Sequence, residues 1–193
     1  IAHFGALVLS GGDWMSLYRL AVPVLPSFVL GAAELSRVGP RWASWLRLGL
    51  SGAMSVYLAA SLGPVARRVG ADRQRLIEQA RQPLRGARSI AALDVGWVGA
   101  VSEARIVDLA GITDEAIAML PGGHTSKHID DALLRARDVD ALVLLTARPP
   151  FDGYDREVER RVSAQPSVAE FRELARLALG GGSQSYVILR KPP

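Results

Sequence analysis

An α/β fold, with membrane helices on the amino-terminal side and a small α/β domain behind them, is what this sequence predicts. Three observations carry the prediction: apolar residues crowd into the first third, Leu48 to Ala66 carries no charge, and short apolar runs punctuated by Gly and Pro follow position 88. The segregation is hidden in the averages. A hydrophobic share of 49% and a mean hydropathy of +0.17 would suit an ordinary globular core. At 193 residues the chain has room for one soluble domain, or for a smaller one plus membrane spans. The reading divides it into membrane helices over 1–66, an amphipathic helix and linker over 67–88, and a soluble α/β domain over 89–193.

The chain starts at Ile1, and the apolar Ile1 to Leu9 reads as the tail of an earlier membrane helix, so upstream sequence is expected. No basic residue precedes that run, which does not fit a secretory signal. Leu20 to Ala33 reads as a kinked span, because Pro23 and Pro26 break helix hydrogen bonds in water but are accommodated among neighbouring helices in lipid. Leu48 to Ala66 is close to the roughly twenty residues a membrane crossing needs. Its Gly49, Gly52, Ser51, Ser55 and Ser61 suit a small-residue membrane interface or a tightly packed core helix. Glu34 to Arg47, with Arg37, Arg41, Arg47, Trp42 and Trp45, reads as a headgroup-level loop between the spans. Arg67, Arg68, Arg73 and Arg75 follow the second span, so the charge rule leaves orientation undecided.

Val65, Val69, Leu76, Ile77 and Ala80 fit one amphipathic helix weakened by Gly70. Ser89 to Leu93, Val95 to Val101 and Arg105 to Leu109 predict one or two strands closed by turns at Gly96 and Gly99. Thr113 or Asp114 caps a short helix that ends at Pro121-Gly122-Gly123, and Thr125 or Ser126 caps the next, with Ile129, Leu133 and Leu134 on one face. Ala141 to Thr146 is a buried strand. Ser167 and Glu170 have capping-box spacing, predicting a helix to Leu179 with Phe171, Leu174, Leu177 and Ala178 buried. Ser185 to Leu189 closes the domain as a strand.

The net charge of +4 and pI near 9.9 come almost entirely from scattered Arg; only Lys127 and Lys191 are lysines. No basic run is interleaved with aromatics, which argues against nucleic acid, and acidic lipid headgroups are the better counterpart. Without cysteine there is no disulfide framework, thiolate zinc site or cysteine nucleophile. No cofactor motif is present. Gly96-Trp97-Val98-Gly99 and Gly180-Gly181-Gly182 are too short to be a phosphate loop or a dinucleotide fingerprint.

Six acids and bases stand out. Asp13 and Arg19, in a Gly11-Gly12 loop flanking the first span, could orient a charged headgroup or a sugar hydroxyl, or could form an interfacial loop with a snorkelling arginine. Asp94 and Asp108 end strands, where α/β proteins hold ligands and where acids also bond turn backbone. His124 and His128 have the i, i+4 spacing of zinc sites, but the general-base Glu of H-E-x-x-H is missing, and no metal is expected.

Gly11-Gly12-Asp13-Trp14-Met15, Arg19 and the Pro23/Pro26 span, followed by Ala92-Leu93-Asp94-Val95-Gly96 and Val107-Asp108-Leu109-Ala110-Gly111-Ile112-Thr113-Asp114, resemble the carboxy-terminal part of bacterial polytopic GT-C class glycosyltransferases. That group includes the dolichyl-phosphate-mannose mannosyltransferases, the lipid A aminoarabinose transferases and mycobacterial arabinofuranosyltransferase relatives. The resemblance covers most of the chain through short motifs. It implies the last helices of a polytopic domain in the bacterial inner membrane, an extracytoplasmic α/β domain, a polyprenyl-phosphate sugar donor and a glycan or lipid acceptor. It also implies that the catalytic base lies in an external loop upstream of Ile1, leaving Arg19 for the lipid phosphate and Asp13 for a sugar or a cation. Two rivals fit the same residues: a noncatalytic membrane-anchored α/β module that binds carbohydrate or a protein, and a soluble enzyme with buried helices.

Overall fold

The computed structural model describes residues 25–38, 40–180 and 182–192, so Asp13, Arg19 and the start of the Leu20–Ala33 stretch lie outside the described residues. The chain divides into two compact units, Ile1–Gly63 and Pro64–Pro193.

In the first unit, α1 (Leu25–Val38) is followed by the opening of α2 (Arg41–Ala80). The polar segment expected to be a loop is therefore largely helical: Glu34 to Val38 finish α1, and Arg41 to Arg47 begin α2. Pro40 makes the restart possible, since its carbonyl accepts the free N–H groups of Ala43 (2.9 Å) and Ser44 (3.4 Å) at the helix start. The helix then presents apolar side chains outward, among them Trp42, Trp45, Leu46, Leu48, Leu50, Met54, Val56 and Tyr57. Among the described residues α2 is the one helix long and apolar enough to cross a membrane, and none of its most apolar window is buried.

Nor does α2 end where the apolar stretch ends. It passes through Pro64 and Gly70 to Ala80, so the amphipathic helix expected over 65–81 is its continuation. Here its environment changes, and Leu76 and Ala80 are fully buried. They pack on a five-stranded sheet in the order β2-β1-β3-β5-β4. The strands are β1 (Ser89–Ala92), β2 (Arg105–Asp108), β3 (Ala141–Leu145), β4 (Arg172–Ala178) and β5 (Ser185–Arg190). β1 is parallel to both β2 and β3, whereas β5 is antiparallel to β3 and β4.

Both faces of the sheet are covered, so β3 and, after Ser89, β1 read as unbroken apolar runs, without alternation. Ile90, Ala92, Val143, Leu145 and Ile188 face the end of α2 together with Trp97 and Val98. Ala91, Val107, Leu142 and Leu144 face the other layer, made by α4 (Glu115–Ala118), α5 (Asp131–Ala136) and α6 (Glu157–Ser163). The capping pattern is partly as expected: Asp114 caps α4, but Asp130 caps α5, accepting from Leu133 N–H at 2.9 Å. Ser126 instead accepts from Gly123 N–H.

Two sequence expectations fail for identifiable reasons. Val95 to Val98 form one helical turn, α3, not a strand. Parallel β1 and β2 require a crossover, and residues 93–104 must supply it. The Ser167–Leu179 helix is also absent: Pro166–Val168 is a 3-10 turn and β4 follows. Arg172-Glu-Leu-Ala-Arg-Leu-Ala has good helix formers, but the aromatic and β-branched β5 offers it a full row of hydrogen-bonding partners across a glycine turn, and pairing overrides propensity. Leu174, expected inside, is 55% exposed.

That difference is measurable. Ile188→Ala, at a fully buried β5 position, should cost about 2–5 kcal/mol in denaturant unfolding of the detergent-solubilised chain. Leu174→Ala should stay within about 0.5 kcal/mol, as surface positions do; a loss comparable to that of Ile188 would restore the helical stripe.

Candidate functional site

β1 connects to β2 on one side while β3 lies on its other side, which makes the carboxyl ends of β1 and β3 the point where the strand order reverses. Open α/β sheets hold ligands at such a crevice. Asp94, Arg156, Glu159 and Tyr186 converge there, with Arg73 on the outer side.

Asp94 leaves the end of β1 and takes two donors on one oxygen: Tyr186 Oη donates to its Oδ2 at 2.5 Å and Arg156 Nη1 at 2.7 Å. Tyr186 is brought in by β5, where it pairs with Leu145 of β3. Arg156 immediately precedes α6, and the same Nη1 donates to Glu159 Oε1 at 3.1 Å. Glu159 is fully buried. Its carboxylate also accepts from Leu145 N–H (3.1 Å) and, through Oε2, from Arg156 N–H (3.3 Å), so one side chain ties the end of β3 to the start of α6. On the outer side Arg73 Nη1 donates to Tyr186 Oη at 3.4 Å. The chain of contacts thus runs Arg73, Tyr186, Asp94, Arg156, Glu159.

Burial sets the electrostatics. It raises the Glu159 pKa above the ordinary carboxylate value, against the opposing pull of Arg156 and the backbone N–H groups. Burial first, then Asp94, raises the Tyr186 phenol. For Arg156 burial acts downward, but Asp94 and Glu159 outweigh it and the guanidinium stays charged. Trp97 packs edge-on to Tyr186 with ring centroids 5.0 Å apart, and its buried indole N–H has no hydrogen-bond partner among the described residues.

Chemically, Asp94 is a neutralised carboxylate whose Oδ2 is occupied. Its Oδ1 carries no protein hydrogen bond among the described residues and can accept one from a ligand hydroxyl. Asp108 is committed elsewhere: Oδ1 accepts from Ala110 N–H (2.9 Å), and Oδ2 from Thr113 N–H (2.7 Å) and Thr113 Oγ1 (3.1 Å). These bonds close the turn after β2, which needs Gly111 at φ +74°, where an added Cβ would come within 2.5 Å of Ala118 N. The two acids therefore do not share a site. His124 and His128 are exposed, and no group of His, Cys, Asp and Glu that could hold a metal ion occurs among the described residues.

Arg156, Glu159, Tyr186 and Arg73 were not singled out by the sequence. A signal existed for the first two: Arg156 stands three residues before Glu159, where a capping box would place Ser or Thr, so its side chain is free to act elsewhere.

Residues 67–188, more than half of the chain, match the family described as Domain of unknown function (DUF8728). No curated protein and no solved structure matches the chain.

Two outcomes follow from these contacts. Asp108→Ala leaves the N–H of buried Ala110 without its partner and should cost about 1–3 kcal/mol, read by denaturant unfolding, while exposed Thr113 turns to water. Because the folded chain holds the Glu159 proton at pH values where the unfolded chain has lost it, stability from this group is complete below the ordinary value of 4.5 and declines as pH climbs through the raised one. Glu159→Gln should flatten that decline in melting temperature against pH; an unchanged slope would show that Glu159 titrates normally.

Proposed function

The chain belongs to the family described as Domain of unknown function (DUF8728), and we propose, from its sequence resemblance and the exposed apolar surface of α2, that it is the carboxy-terminal part of an integral-membrane glycosyltransferase. The enzyme moves a sugar from a polyprenyl-phosphate donor to an extracytoplasmic glycan or lipid acceptor at the bacterial plasma membrane. The observation that supports membrane attachment is the outward apolar surface of α2, whose most apolar window has no buried part. Leu48 to Ala66 rises about 28 Å as a helix, matching a hydrocarbon core of about 30 Å. Indoles at Trp42 and Trp45 precede it and Arg67 and Arg68 follow it, placing interfacial residue types at both ends. The sugar-transfer part rests on the resemblance of the Gly11-to-Pro26 and Leu93-to-Asp114 motifs to GT-C enzymes.

In an inverting transfer the acceptor hydroxyl attacks the anomeric carbon, the bond from that carbon to the lipid phosphate breaks, and a carboxylate takes the hydroxyl proton. Cationic side chains stabilise the departing phosphate. The base belongs to the upstream membrane domain; Arg19 serves the phosphate, and Asp13 a sugar hydroxyl or a bound cation. Asp94, through Oδ1, suits a hydroxyl of the acceptor better than proton abstraction, because Arg156 and Tyr186 already engage its Oδ2. A noncatalytic role for the α/β unit as a carbohydrate- or protein-binding module is the second reading, favoured by the full commitment of Asp108 and Oδ2 of Asp94 to internal contacts.

In the full-length protein, Asp13→Asn and Arg19→Ala should each reduce transfer from a polyprenyl-phosphate sugar by 10-fold or more, on the order of an oxyanion-type contact. Unchanged rates in both would remove these residues from the mechanism. Transfer that survives deletion of neither the upstream spans nor their acidic loop, but persists without the α/β unit, would make that unit a binding module.

A further inference from the structure

We propose that the α/β unit carries a binding site for the phosphate of a membrane phospholipid headgroup, in the cavity between α2 and the turn joining β4 to β5. The cavity has a volume of about 290 Å³ and is lined by Val69, Asp72, Arg73, Leu76, Leu179 and the glycines Gly180 and Gly182. Three observations converge on it.

Arg73 is the under-used cation of this unit's interior network. It is half-buried, it has no carboxylate within ion-pair distance among the described residues, and its one hydrogen bond is the long one to Tyr186 Oη at 3.4 Å. Tyr186 Oη donates to Asp94, and Arg156 pairs with both Asp94 and Glu159, so Arg73 reaches the carboxylates of the network only through the Tyr186 hydroxyl and touches neither. A guanidinium has five N–H donors, and a half-buried one with a single weak acceptor is short of an anion. The other carboxylate lining the cavity does not supply it, because Asp72 is paired with Arg75.

The cavity wall also has the shape and polarity of an amphiphile's neck. Val69, Leu76 and Leu179 form an apolar side, and Gly182 narrows nothing, since an added Cβ there would have only Gln184 N within 4 Å, at 3.9 Å. Gly180 instead makes room for the Asp72–Arg75 ion pair, which an added Cβ would strike. Val69 comes three residues, about 4.5 Å of helical rise, after Ala66, where the uncharged stretch of α2 ends. A site with one cation, an apolar flank and this position on the helix fits a phosphate attached to an acyl-chain lipid better than a free ion. The assignment of lipid as the source rests on membrane insertion of α2, but not on the transfer reaction; Arg73 as a phosphate ligand rests on neither.

The test uses the full chain in neutral detergent, titrated with inorganic phosphate, and reconstituted in vesicles of phosphatidylcholine with or without phosphatidic acid, with melting temperature as the readout. Phosphatidic acid should raise the melting temperature of the wild type. Arg73→Gln should abolish the rise, Arg73→Lys should restore part of it, and Arg81→Gln, at an exposed arginine past the end of α2, should leave it intact. Stabilisation by inorganic phosphate of equal size, also lost in Arg73→Gln, would keep the site and overturn its lipid source. Equal responses in wild type and Arg73→Gln, or none in either, would overturn the site. Co-flotation with phosphatidylcholine vesicles reports insertion separately: a chain that stays behind yet still binds phosphate through Arg73 refutes membrane attachment and the lipid source, while the phosphate site stands.

Discussion

Burial of the sheet on both faces is the constraint from which the rest of the α/β unit follows. A strand covered on two sides can carry no charge along its length, so β3 is apolar throughout, β1 has only Ser89 at its start as a polar residue, and the buried carboxylates Asp108 and Glu159 sit at a strand end and in a helix beside one. The ends must then satisfy each other. At the amino-terminal edge Asp140 accepts from the N–H groups of Arg88 and Ser89, fixing β1 against the start of β3. At the carboxyl edge Glu159, Arg156, Asp94 and Tyr186 do the same for β1, β3, β5 and α6. The candidate site and the fold's polar closure are one set of residues.

This explains how a motif that carries a family resemblance can be structural. Val107-Asp108-Leu109-Ala110-Gly111-Ile112-Thr113-Asp114 closes the turn after β2 through Asp108 and Gly111 and caps α4 through Asp114, which Arg137 also pairs at 2.9 Å. A buried carboxylate saturated by three donors contributes geometry, not reactivity. Asp94, at the equivalent end of β1, differs because both of its donors crowd one oxygen. Lys127 illustrates the same economy of polar groups: its buried ammonium donates to the carbonyls of Ala118 and Leu120 and so closes the end of α4.

Much of the architecture was legible in the residues. The strands at Ala141 and Ser185, the short helix before Pro121 and the α/β character follow from apolar runs bounded by turn residues, which report burial directly. The strand at Arg172 was not legible, because its composition favours a helix and only its partner β5 makes the extended form pay. Asp94 was visible as a strand-end acid. Its partners were not, since Tyr186 lies 92 positions away and Arg156 lies 62.

The sequence by itself determined what several segments tolerate: a long uncharged helix at Leu48 to Ala66, a buried strand at Ala141 to Thr146, a strand at Ser185 to Leu189 and a helix stop at Pro121-Gly122-Gly123. These depend on local composition and periodicity, which a linear string contains. Only the tertiary structure decided which charges meet, because pairing between residues dozens of positions apart depends on strand order and register. The reversal of strand order at β1, with parallel β2 and β3 on its two sides, and the antiparallel return of β5 bring Asp94, Arg156, Tyr186 and Arg73 together and leave Asp108 on its own turn.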